Sequence, residues 1–168
     1  MDEYQGWFDG GCGPCNPGGT ATTAAIVKTK DGKVLLREGR LAGTGRGMSN
    51  NVAEYAAIIR IFEYLLPFSP AKVTVHGDSR LVIKQLNAKW RVGEGLYRSA
   101  ALEARELLAR LRSLGWQIKL LWIPRTQNKE CDALSKATLA DAGVLPEVQP
   151  SGIATEPLVD PINEETTH

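Results

Sequence analysis

Three β-rich runs open the chain, roughly Tyr4 to Gly11, Thr20 to Lys30 and Val34 to Leu41. The Gly-rich stretch Gly10 to Gly19 and the Asp31-Gly32 pair serve as turns, so the pattern predicts three strands with an antiparallel start. From Val52 to Leu66 the apolar residues recur at helical spacing, behind Ser49 and Asn50 as cap candidates and ahead of Pro67. A first helix follows from that spacing. Lys72 to Gly77 predicts a short strand, with Asp78-Ser79 capping a second helix that runs to about Asn87. Leucines at 102, 107, 108, 111 and 114 predict a long helix from about Leu96 to Leu114, stopped at Gly115. Gln117 to Ile123 reads as a last strand and Lys129 to about Ala142 as a closing helix. The order is β-β-β-α-β-α-α-β-α: an α/β chain with a mixed sheet and helices packed on its faces.

After Gly143 the periodicity stops. Residues 146–168 hold four prolines and five acids and read as a flexible acidic tail behind one globular unit, residues 1–145. A length of 168 residues with 43% hydrophobic content suffices for one sizeable core. No apolar run is long enough for a membrane span, and Met-Asp-Glu-Tyr lacks the profile of a signal peptide. The expectation is a soluble, cytoplasmic monomer without membrane contact.

Charge sharpens the picture only slightly. All 20 basic residues lie before Pro146 with 14 of the 19 acidic ones, an excess of six positive charges that suits a polyanionic partner without demanding one. Cys12 and Cys15 form a lone CxxC. A structural zinc site needs four ligands, and only Cys131, His76 and His168 could complete it. Two loop cysteines fit better, with a redox pair as the alternative.

Four carboxylates carry the candidate chemistry. Asp9 sits in an apolar strand between Trp7-Phe8 and Gly10-Gly11, where an unpartnered charge is costly. Glu54 is the only acid in Val-Ala-Glu-Tyr-Ala-Ala-Ile-Ile. Asp78 closes the fourth strand and Asp132 opens the last helix. Taken singly, Asp78 reads equally well as a helix cap, Asp132 as a first-turn acid favoured by the helix dipole, and Glu54 as an exposed helix residue.

Phe8-Asp9-Gly10-Gly11, Asn16-Pro17-Gly18-Gly19, Asn50-Asn51-Val52-Ala53-Glu54, Gly77-Asp78-Ser79 and Asn128-Lys129-Glu130-Cys131-Asp132-Ala133-Leu134 together resemble, in order and spacing, the type 1 ribonuclease H family. The resemblance covers about residues 4 to 142. It implies a ribonuclease H-like fold with a five-stranded mixed sheet, and an endonuclease that hydrolyses the RNA strand of RNA/DNA hybrids, leaving a 5′-phosphate and a 3′-hydroxyl. By position, Asp9, Glu54, Asp78 and Asp132 are the catalytic, metal-binding acids. They would hold two Mg²⁺ ions, with Mn²⁺ as a substitute, in the donor environment that Mg²⁺ prefers.

The resemblance also implies substrate contacts. The loop from Gly10 and Gly11 to Asn16, with Cys12 and Asn16 at matching positions, would read 2′-hydroxyls together with Glu54. Ser49, Asn50 and Asn51 would face the DNA strand, against a plain turn-and-cap reading. Trp90 is the aromatic candidate for the DNA backbone, against core packing. Arg46, Arg80, Lys84, Lys89 and Arg91 are candidates for phosphate contacts. Asn128 joins the substrate-contacting set from the last motif.

Three departures stand out. The region Asn87 to Arg98 is short where several members carry a basic helical protrusion, and no hybrid-binding domain precedes Tyr4, so the free-standing form is expected. The loop Trp122 to Asn128 lacks the histidine many relatives place there, and Arg125 is the electrostatic substitute. The rivals are a retroelement-derived nuclease domain and a non-catalytic hybrid-binding protein; the second would be marked by loss of an acid, and all four are present.

Overall fold

The computed structural model describes residues 1–144; the tail expected over 146–168 lies outside the described residues. The elements are β1 (Glu3–Gly13), β2 (Thr20–Thr29), β3 (Val34–Thr44), α1 (Asn50–Leu65), β4 (Lys72–Gly77), α2 (Arg80–Leu86), α3 (Arg98–Ser113), β5 (Gln117–Trp122) and α4 (Lys129–Asp141). Their order is the one the sequence predicts. A single 3₁₀ turn, Arg125–Gln127, was not foreseen. No helix among the described residues is long and apolar enough to cross a membrane.

The five strands form one sheet in the order β3-β2-β1-β4-β5. β1, β2 and β3 pair antiparallel, and β4 and β5 join β1 in parallel. Each parallel connection needs a helical crossover, which α1 supplies between β3 and β4 and α2 with α3 between β4 and β5. One face of the sheet, including Phe8, Val27, Val73, Val75 and Leu120, packs on α1 through Ile58, Ile61 and Phe62 and on α3 through Leu108 and Leu111. A smaller cluster of Ala24, Ile26 and Cys131, flanked by Trp7 and Leu134, holds α4 on the other face. Covered from both sides, β2 is buried continuously from Ala21 to Val27, whereas the edge strand β3 is largely exposed.

Local chemistry sets the ends. Ser49 caps α1, its hydroxyl accepting from the Val52 N–H, and the helix closes at Leu66 just before Pro67. α3 begins at Arg98, two residues later than its leucines suggest, with the buried Tyr97 as its cap residue. It ends where Gly115 adopts the left-handed conformation, φ 106°.

Candidate active site

Strand register brings the first two acids together. Phe8 of β1 lies opposite Gly77 of β4 at the end of their parallel ladder, so the next residues, Asp9 and Asp78, sit side by side where the strands part. Close approach of a helix adds the third. A Cβ on Gly10 would lie 2.3 Å from the backbone C of Ala53 and the N of Glu54, so glycine lets α1 rest directly on β1 and delivers Glu54 to Asp9. Carboxylate oxygens of Asp9, Glu54 and Asp78 all lie within 4.8 Å of one another.

Asp78 is free to join the group because Ser79, not Asp78, caps α2: the Ser79 hydroxyl accepts from the Val82 N–H. Glu54 is not an exposed helix residue either. It is buried, and its Oε2 has no hydrogen-bond partner.

Asp132 is the exception. It lies near enough to raise the Asp9 carboxyl through its charge, but outside the three-carboxylate group. Its oxygens face cations instead, Arg125 at 3.3 Å and Lys136 at 3.2 Å. Of the four expected acids, three thus form a compact group and Asp132 lies at its rim between two counter-charges.

Crowding of carboxylates shows in their protonation. Burial, then the charges of Asp78 and Asp132, push Asp9 up to about 7, against hydrogen bonds from Glu54 and the Gly10 backbone. Burial and the same repulsion, from Asp9 and Asp78, raise Glu54 well above the usual carboxyl range. Asp78 is raised by burial, against the opposing Arg125 guanidinium and Asn128 amide. Three acids that cannot ionise together, one with a buried oxygen left unpaired, are donors suited to a hard cation.

The surrounding residues divide into frame and surface. Asn16 Oδ1 accepts from the Asn50 N–H at 2.9 Å, tying the Gly-rich loop to the start of α1. Gly11 and Cys12 are partly exposed beside it, as are Asn50 and Asn51. No disulfide joins Cys12, Cys15 or Cys131, and the Cys12 thiol donates to the Cys15 carbonyl. Trp90 is 44% exposed, which removes the core-packing reading. Arg80 lies over the Trp122 ring at 4.4 Å, and the Trp122 indole donates to the Asp78 carbonyl, an aromatic support that the sequence did not single out.

Two residues expected to contact substrate are buried in the frame instead of exposed. Ser49 is buried and its hydroxyl serves the helix cap. Asn128 is buried too, because its amide donates to the Phe8 carbonyl and holds α4 against β1. Lys136 was missed, although its i,i+4 spacing from Asp132 is visible in the sequence.

The sheet order and the acids placed just past the end of the β1–β4 parallel ladder define a domain of ribonuclease H-like fold. Residues 8–138 match the model of the reverse transcriptase-like family. Ribonuclease HI of Halobacterium salinarum is 35% identical over 140 residues, 83% of this chain and 66% of that protein. The crystal structure of RNase H1 from that organism superposes with a TM-score of 0.70 over 83% of this chain and 98% of the other, at 30% identity. The N-terminal RNase H domain of Rv2228c from Mycobacterium tuberculosis gives 0.73 over 85% and 97%, at 26% identity. The chain belongs to the ribonuclease H family, on the type 1 side where these relatives lie. It spans 66% of the Halobacterium protein and 31% of the bifunctional mycobacterial one, so it corresponds to part of each.

Proposed function

We propose that the protein is a ribonuclease H that hydrolyses the RNA strand of RNA/DNA hybrids with two divalent cations, Mg²⁺ by preference and Mn²⁺ as substitute. The observation that carries this is the group of three carboxylates within 4.8 Å, one buried oxygen of which has no hydrogen-bond donor to satisfy it. Such a set, when ionised, is favourable only beside a cation, and relatives are named ribonuclease HI and RNase H1.

In this reading Asp9, Glu54 and Asp78 hold the cations, and Asp132 contributes from the rim. Cations bound there supply Lewis acidity toward a water and toward the phosphate oxygens. The chain's own residues do the rest. Glu54, fixed by the contact of α1 on Gly10, keeps the site's shape before substrate arrives. Arg125 neutralises phosphate charge beside Asp132, where relatives of the resembling type place a histidine. Water adds across the P–O3′ bond, giving a 5′-phosphate and a 3′-hydroxyl.

Substrate lies across one face. Gly10, Gly11, Cys12 and Asn16 meet the RNA minor groove, where a 2′-hydroxyl separates RNA from DNA. Asn50, Asn51 and Trp90 take the DNA strand, and Arg80 takes a phosphate.

The test is cleavage of an end-labelled RNA/DNA hybrid beside RNA/RNA and DNA/DNA duplexes, with Mg²⁺, Mn²⁺ or EDTA. Only the hybrid's RNA strand is cut, EDTA stops the reaction, and Asp9→Asn removes several kcal/mol of charge stabilisation, roughly a thousandfold in rate. Binding of the hybrid without cutting at any metal concentration would refute the nuclease reading in favour of a hybrid-binding protein.

A further inference from the structure

Gln85 of α2 is buried between two aromatic side chains with its whole amide in use. Its Oε1 accepts from the Tyr55 hydroxyl at 2.5 Å, and its Nε2 donates to the Arg91 carbonyl at 3.0 Å and to the Tyr97 hydroxyl at 3.2 Å. The Tyr97 oxygen also accepts from the Gly93 N–H at 3.0 Å. The Tyr55 and Tyr97 rings stack with centroids 6.0 Å apart.

An apolar side chain of similar size would fill this space without desolvating an amide. What the amide adds is a grip on the chain that follows α2. That segment turns sharply at Ala88, whose φ of 58° is unusual for a residue with a side chain. The N–H groups of Lys89 and Trp90 both donate to the Lys84 carbonyl, at 2.8 and 3.1 Å. Asn87 Nδ2 donates to the Leu120 carbonyl of β5 at 3.1 Å. Trp90 is therefore tied to α2 on its N-terminal side by Lys84 and on its C-terminal side by Gln85. Its own ring is left exposed. The other end of the network is Tyr55, the residue after Glu54 in α1.

The geometry points to Gln85 as a positioning residue for substrate: it fixes the Trp90–Arg91 arm relative to Glu54, so that the contact on the DNA strand keeps one spacing from the acids. This rests on the proposed assignment of Trp90 to the hybrid's DNA strand. A buried polar network that uses the whole Gln85 amide favours one geometry over several.

Gln85→Glu tests it. The carboxylate still accepts from Tyr55 and Tyr97 but presents an acceptor to the Arg91 carbonyl, releasing the arm. Binding of a fluorescein-labelled RNA/DNA hybrid in EDTA, and KM and kcat with Mg²⁺, are measured for the wild type, Gln85→Glu, Trp90→Ala and the double variant. The expected result is Kd and KM raised about tenfold with kcat within about twofold, the low end of what an aromatic contact to nucleic acid is worth. In the Trp90→Ala background the same change adds little, because the two residues act through one contact. Gln85→Met, which has no donor for Arg91, carries the same expectation if Gln85→Glu folds poorly by circular dichroism.

A loss in kcat with unchanged KM, or effects that multiply in the double variant, overturns the proposal. The underlying reading fails separately: a wild type that neither binds nor cuts the hybrid refutes the nuclease, and a Trp90→Ala variant that binds normally refutes the Trp90 contact. Folded Gln85 variants that bind like the wild type, with Trp90→Ala impaired, refute this inference alone.

Discussion

The side-chain amide of Asn128 donates to the backbone carbonyl of Phe8 across 2.9 Å, joining the residue before α4 to the residue before Asp9. One buried hydrogen bond thus couples the strand that carries Asp9 to the helix that carries Asp132. The Asn128 amide also opposes the raised protonation of Asp78. A residue with no surface of its own touches the frame of three of the four acids.

Asn128→Ala leaves the Phe8 carbonyl buried without a donor. Loss of such a bond costs about 1–3 kcal/mol. Urea unfolding at neutral pH measures that cost, and the cleavage rate on a hybrid drops with it as α4 loosens from β1. An unchanged unfolding midpoint would show that the bond contributes nothing.

Gly10 sets the distance between β1 and α1. Gly10→Ala places a Cβ 2.3 Å from the backbone of Ala53 and Glu54, and backbone cannot rotate away as a side chain does. Forced overpacking costs about 1–3 kcal/mol and here pushes Glu54 away from Asp9. Gly47→Ala is the control, since nothing lies within 4 Å of its added Cβ. Thermal melts and cation titrations of the two variants should separate clearly; matched behaviour would mean that the helix and strand can part without consequence.

Proton and cation compete at Asp9. An unfolded carboxyl ionises near 3.8, whereas burial and then the Asp78 and Asp132 charges hold the folded one to about 7. Between these values the folded protein binds more protons than the unfolded chain, so cation-free stability falls as pH rises through this window and levels off above it. Stabilisation by Mg²⁺ grows over the same window, because binding displaces the proton. Melting temperatures in EDTA and in Mg²⁺, at roughly pH 5 and pH 8, follow both trends, and Asp9→Asn flattens the first. An EDTA melting curve that rises steadily with pH would contradict the sign.

Much of this site was legible in the sequence where a residue conflicts with its local pattern. Asp9 is a charge in an apolar strand, and Glu54 is the one acid in an apolar helical face; both conflicts resolve in the carboxylate group. The strands and helices were legible because their periods are undisturbed. Other positions were ambiguous for physical reasons. Asp78 and Ser79 are equally good caps, and only the Ser79–Val82 bond decides between them. Asn128 lies between Gln127 and Lys129 in a polar run that signals solvent, and its burial comes from a tertiary contact 120 residues away in sequence. The pairing of Arg125 with Asp132 depends on an unforeseen 3₁₀ turn.

Arg80 offers a test of the nucleic-acid face that does not involve chemistry. Its guanidinium lies over the Trp122 ring, which pre-orients an exposed cation near Asp78. A phosphate contact carries no sequence information and is sensitive to salt. Arg80→Ala should weaken hybrid binding uniformly across sequences and reduce the slope of log Kd against log salt by about one. A slope equal to that of the wild type would remove Arg80 from the interface.

Asp132 sits at the rim of the site between Arg125 at 3.3 Å and Lys136 at 3.2 Å, and a cation that recruits its carboxylate has to compete with both. Lys136 is about half exposed, so its pairing is a solvent-screened one worth at most about 1 kcal/mol. Lys136→Met removes that competitor without adding a charge, and cation affinity should tighten by up to about fivefold, the equivalent of that energy. Arg125→Met frees the same carboxylate but also removes a charge that favours ionised Asp78, so its gain in cation affinity is smaller than that of Lys136→Met, while cleavage falls for want of a phosphate partner. Calorimetric titration with Mn²⁺, beside hybrid cleavage for each variant, separates the two effects. If Lys136→Met binds the cation no more tightly than the wild type, Asp132 is not a ligand in the free protein and enters the site only with substrate bound.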